Sequence, residues 1–125
     1  MKNNRLSQVV WVTIILTASS CVSQTQLPDE LLGIWKTEAL KYQDTFFEMK
    51  TNLLVLGMET GEVQSFTIAK VEGKKLCEEE WVLYTVFYQN DSLQKFEFPF
   101  YYNPAKNGVI RFKNQENLVW KKEIQ

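Results

Sequence analysis

From Leu31 onward the chain is a succession of short runs rich in β-branched and aromatic residues, each closed by a turn signal. The runs are LLGIWKTE (31–38), DTFFEMK (44–50), NLLVLGM (52–58), VQSFTIAKVE (63–72), EWVLYTVFYQ (80–89), LQKFEFPFYY (93–102), GVIRFKN (108–114) and NLVWKKE (117–123). No window here keeps apolar residues at helical spacing for three turns, so each run reads as a strand. The connections ETGE, EGKK, NDS, NPAKNG and NQE supply the Gly, Asn, Asp or Pro that tight reversals need. Strands joined this closely pair antiparallel with their neighbours and form a meander. Eight of them remove both exposed edges by closing on themselves. The pattern predicts an all-β, eight-stranded antiparallel up-and-down barrel over residues 30–125.

Alternation within the runs assigns faces. Lys95-Phe96-Glu97-Phe98-Pro99-Phe100 puts Phe96, Phe98 and Phe100 on the buried side. Pro99 then lies outside, and its missing N–H marks an edge, a bulge or an opening. The preceding run is apolar on both faces: Thr85 and Gln89 fall with Trp81, Leu83 and Phe87, so Tyr84 and Tyr88 are expected to point inward. Trp81 and Phe87 become candidates for a surface contact. With Trp35 and Trp120, the inward rings form either a filled core or the lining of a small apolar cavity.

The first two dozen residues follow another logic. Lys2 and Arg5 stand without an acid, Val9 to Ala18 is almost wholly apolar, and Ser19 and Ser20 are small. This is the order of a secretory signal, and its run falls short of the roughly 18 apolar residues that span a bilayer. Removing 1–20 takes away two of 14 basic residues and none of 15 acids. The remaining chain is mildly acidic, which excludes the clustered cations of a nucleic-acid binder. Residues 21–29 are polar with one Pro and read as a tether needing no fold of its own.

Thr17-Ala18-Ser19-Ser20-Cys21 resembles the lipobox of bacterial lipoproteins, whose cysteine becomes the first residue of the mature protein. The resemblance implies a diacylglycerol on the Cys21 thiol, cleavage just before it, and two or three acyl chains, palmitate among them, holding the domain on a membrane. Val22, where an Asp would retain a lipoprotein in the inner membrane, implies the outer membrane facing the periplasm if the source has two membranes. Cys77 is then left without a partner in the chain.

Gly33-Ile34-Trp35 is similar to the Gly-x-Trp that opens a lipocalin, and eight short strands match the rest of that barrel. The resemblance implies that Trp35 closes one end beneath a basic side chain from a late strand, for which Arg111, Lys121 and Lys122 are candidates.

The chain contains no histidine, which removes the commonest general base and zinc ligand. Cys77-Glu78-Glu79-Glu80 joins a thiol to three carboxylates, but consecutive residues diverge and the acids disfavour the thiolate, so it reads as a charged hairpin flank. No catalytic residues, cofactor or metal are expected. The expectation is a non-enzymatic, lipid-anchored envelope protein whose barrel binds an apolar or amphipathic small molecule. The alternative is a protein-binding module with a filled core, an inhibitor or accessory subunit of an envelope assembly.

Overall fold

A computed structural model describes residues 21–76 and 80–124. Nine strands follow in chain order: β1 (Cys21–Gln24), β2 (Gly33–Thr37), β3 (Phe46–Met49), β4 (Leu53–Gly57), β5 (Val63–Lys75), β6 (Val82–Gln89), β7 (Lys95–Asn103), β8 (Val109–Phe112) and β9 (Gln115–Lys122). Single turns of 3-10 helix at Asp29–Leu31, Leu40–Tyr42 and Ala105–Asn107 are the helical elements among the described residues.

Strands β2 to β9 are the eight expected from the sequence, and each pairs antiparallel with the next. The first and last meet as well, with Trp35 opposite Lys122 and Thr37 opposite Trp120, so the sheet closes into a barrel. Glu123 N–H donates to Ile34 C=O at 2.7 Å and extends that seam. Closure leaves the eight strands no long free edge, which is why short strands of four to nine residues suffice around a thirteen-residue β5.

The tether expectation is corrected at its start. Cys21–Gln24 pairs antiparallel with Lys74–Val71 of β5. The reason lies in the length of β5. Its first five residues pair with β4, while Thr67 onward pairs with β6 on the opposite edge. The β4 edge is therefore open beyond Thr67, and β1 satisfies those backbone groups in line with β4. Leu27 N–H donates to Thr51 C=O at 3.2 Å, and the Leu27 and Leu31 side chains are buried in the core. A bulge at Ala69 bends β5 so that both pairings fit one strand.

The inner face follows the alternation. Tyr84 faces Phe100, Val86 faces Phe98 and Tyr88 faces Phe96 across β6 and β7. Trp35, Leu54, Val71, Val86, Phe100 and Ile110 are fully buried inside. Burial of each such side chain stabilises the fold by about 1.5–3 kcal/mol. Pro99 sits opposite Thr85 and faces out, and the pairing of β7 with β8 starts only at Tyr101. The missing donor thus lies where the wall between β7 and β8 is open, as its position predicts.

Candidate functional site

One end of the barrel is built around the Gly-x-Trp stretch. Trp35 lies fully buried and its indole N–H donates to Leu31 C=O at 3.0 Å. Of the three candidate cations it is Lys122 that covers the ring, its Nζ 5.5 Å from the centroid and donating to Glu30 C=O at 2.9 Å. Gly33 makes this crossing possible. Its φ is +138°, and a Cβ there would come within 2.9 Å of Lys122 Cδ. Glycine is thus needed both for the backbone and for the lysine stem that runs over it.

The same segment places Glu30 against the barrel wall, where its carboxylate accepts from Tyr84 O–H at 3.0 Å. Burial first, and then this hydrogen bond and the nearby charge, push the Tyr84 hydroxyl well above the ordinary phenol range. Tyr102 is raised by burial and by Glu30, and Tyr88 by burial. All three hydroxyls thus hold their protons more tightly than a free phenol, and the Tyr84 proton is the one donated to Glu30.

All seven inward candidates share the inner face, but not equally. Trp35, Tyr84, Phe100 and Trp120 are buried, Tyr88 and Phe98 half-buried, and Phe96 is 40% exposed at the open end. The burial expected for Phe96 is corrected there: it lies next to the β6–β7 turn, with Tyr88 stacked on one side at 5.4 Å. The ring that organises the middle is one the sequence did not single out. Phe47 is 6.2 Å from Trp35, 5.5 Å from Phe98, 5.8 Å from Phe112 and 5.3 Å from Trp120 between centroids. Phe98 further meets Phe100 at 5.6 Å and Phe112 at 5.4 Å. These are the separations of aromatic groups in direct contact, and they occupy the bore. Trp120 Nε1 is the buried side-chain polar atom without a partner among the described residues, and Tyr42, Phe47 and Phe112 rings surround it.

A concave surface does exist, on the outer wall. Between the pairs Ile110–Trp120 and Phe112–Gln115, β8 contributes Arg111 alone while β9 contributes Glu116 to Val119. Beside this irregularity lies a groove of about 910 Å³, lined by Arg111, Asn117, Leu118 and Val119 from these two strands and reaching from Ala39 to Ala105. That volume is within the roughly 300–1,000 Å³ of ligand sites. Trp81, Val109, Leu118 and Val119 give it apolar surface, and Lys36, Arg111, Lys121, Glu38, Glu80 and Glu123 line it with both signs of charge. The Arg111 guanidinium lies 4.0 Å from the Trp81 ring centroid, and Nη1 donates to Glu116 C=O at 3.4 Å. Lys36 pairs with Glu123 at 3.4 Å.

Trp81 and Phe87 both face outward, as expected, but form no common patch. Six residues of extended chain, about 20 Å, separate them. Phe87 is covered instead by Lys70, whose Nζ stands 4.6 Å from its centroid. The expected signal segment 1–20 and Cys77, Glu78 and Glu79 lie outside the described residues, so the lipobox-like stretch before Cys21 and the acidic thiol motif are not placed. No family model, curated protein or solved structure matches the chain.

Proposed function

We propose that the protein is a non-enzymatic envelope lipoprotein, anchored through Cys21, whose barrel is a filled scaffold for binding another protein on its outside. The observation that carries the choice is the contact network of Phe47, Phe98, Phe112 and Trp120 across the bore, together with a groove on the outer wall. A ligand inside would have to displace rings already in contact, whereas the groove around Trp81 and Arg111 is open. Anchoring rests on the order basic start, apolar run, small residues and cysteine. On this reading the acyl chains leave the barrel directly beside β5, because β1 begins at Cys21. Two or three chains hold the protein firmly where one binds only marginally. Outer-membrane residence facing the periplasm is proposed for a source with two membranes.

Native mass spectrometry of the full chain extracted from its own envelope is expected to find the polypeptide from residue 21 with its acyl groups and no further small molecule. A photo-crosslinking residue in place of Val119, on the groove wall, is expected to capture protein. The unpaired Trp120 N–H is the group that an acceptor-bearing ligand inside the barrel would satisfy. Retention of an apolar small molecule that Phe98→Ala releases would overturn the filled-scaffold reading.

A further inference from the structure

Seven large hydrophobic residues are exposed among the described residues, and five of them collect at one end of the barrel. Leu40 (85% exposed) is in the β2–β3 connection, Met58 and Val63 flank the β4–β5 turn, and Leu93 (70%) and Phe96 belong to the β6–β7 turn and its exit. An up-and-down meander alternates ends, so these connections all open on the same side. The end lies away from the β1 pairing: Val63 to Lys74 is about 35 Å along β5.

Leu93 is the most informative of the five. Its φ is +64°, a left-handed conformation that glycine and asparagine adopt readily and leucine does not. The turn around it is stapled. Asn90 Oδ1 accepts from Ser92 N–H at 2.9 Å and Gln94 N–H at 3.0 Å, and Asn90 Nδ2 donates to Gln94 Oε1 at 2.8 Å. Leu93 N–H donates to Asn90 C=O at 3.0 Å. A leucine that strains the backbone and is 70% exposed within its own fold is held, pre-ordered, largely in solvent. Strain of this kind collects at binding sites, and pre-ordering lowers the cost of association.

We propose that this loop end, with Leu93 as its apolar anchor, docks a protein partner whose matching pocket is ringed by basic residues. This deepens the protein-binding reading above and rests on it. Charge decides the partner's chemistry. Glu38, Asp44, Glu59, Glu62 and Asp91 lie in or beside the connections that carry the apolar tips, against Lys41 and Lys95, while Lys113 of the β8–β9 turn is offset by Glu116 at the start of β9. The ion pairs among the described residues, Lys36–Glu123 and Lys70–Glu72, involve none of these acids. An anionic membrane surface is repelled by such a rim, and so is the same face of a second copy; a basic protein is attracted.

The test is photo-crosslinking in cells of the source, with p-benzoylphenylalanine in place of Met58 in the full chain and, as the opposite-end control, in place of Ile124. Position 58 is expected to yield a protein adduct whose linked peptide is net basic, and position 124 is not. Leu93→Gly, which suits the backbone, is expected to cut the yield at position 58 at least tenfold while leaving the urea midpoint unchanged or raised. Asp91→Lys with Glu62→Lys is expected to cut it similarly. Adducts formed only with lipid or with a second copy overturn the proposal, as does a yield that Leu93→Gly leaves intact. Capture from position 119 and not from 58 overturns this docking face but leaves the protein-binding reading standing; capture from neither removes both.

Discussion

Gly33→Ala tests the closure of the barrel at its Gly-x-Trp end. At φ +138° an alanine is held in a region that costs about 1–3 kcal/mol for a residue with a Cβ. The added methyl also meets Lys122 at 2.9 Å from Cδ and 3.0 Å from Cγ, so the lysine stem must leave its path. Moving it gives up the contact over Trp35, about 0.5–1 kcal/mol, and the bond from Nζ to Glu30 C=O. That bond is open to solvent and counts for about 1 kcal/mol. The expected loss is about 3 kcal/mol, a large part of the roughly 5–15 kcal/mol that holds a domain folded. At about 4–8 °C per kcal/mol for a domain of this size it lowers the thermal midpoint by more than about 10 °C. Urea titration followed by tryptophan fluorescence measures it. In a Lys122→Ala background the clash is gone and only the backbone cost remains, so Gly33→Ala is expected to cost at least about 1 kcal/mol less there. An equal cost in both backgrounds would refute the claim that Gly33 makes room for Lys122. A cost below about 0.5 kcal/mol in the parent would refute the strain as well.

Alkaline pH is expected to weaken the fold through its tyrosines. Tyr84 is raised by burial and then by Glu30, and Tyr88 and Tyr102 mainly by burial, so the folded state holds these protons more tightly than an unfolded chain with its phenol pKa of 10.0. Their contribution is complete below about pH 10 and is lost as the pH climbs through the folded values. Urea midpoints at about pH 9 and about pH 11 should therefore fall apart, and less so in Tyr84→Phe; a pH-independent midpoint would contradict the assignment. Phe98→Ala removes a ring touching Phe47, Phe100 and Phe112 and is expected to cost about 3 kcal/mol by the same titration if the bore is filled. For the anchor, metabolic palmitate label is expected on the parent and absent from Cys21→Ala, and label persisting in that variant would remove Cys21 as the modified residue.

What the sequence conveys and what it withholds divide along physical lines. Alternation is a property of neighbouring residues, so all eight barrel strands and the inward set on β6 and β7 can be read from it. Apolar doublets defeat it. Phe46-Phe47 puts one ring in and one out at the start of a four-residue strand too short to display the alternation, and the register with β4 shows that Phe47 is the buried member, whereas Tyr102 follows from the parity of Phe96, Phe98 and Phe100. The β1 pairing is equally hidden, because Cys21–Gln24 has the composition of a linker and forms a strand only since β5 outruns β4. The groove lies beside a departure of β9 from register with β8, which no local pattern encodes.

These limits bear on where recognition can occur. An eight-stranded barrel has a bore about as wide as the side chains that fill it. With Phe98 and Trp120 each in contact with Phe47 and Phe112, that bore is occupied by the residues that make the fold stable. If the protein binds a partner as proposed, specificity has to come from positions that stability does not use. Leu93 meets that condition, since glycine would suit its backbone better and its side chain gains nothing from the core. Trp81 meets it on the wall, where Arg111 holds its ring at the edge of the groove. On the proposed protein-binding reading, loop end and wall, not the interior, are therefore where substitutions should separate binding from folding.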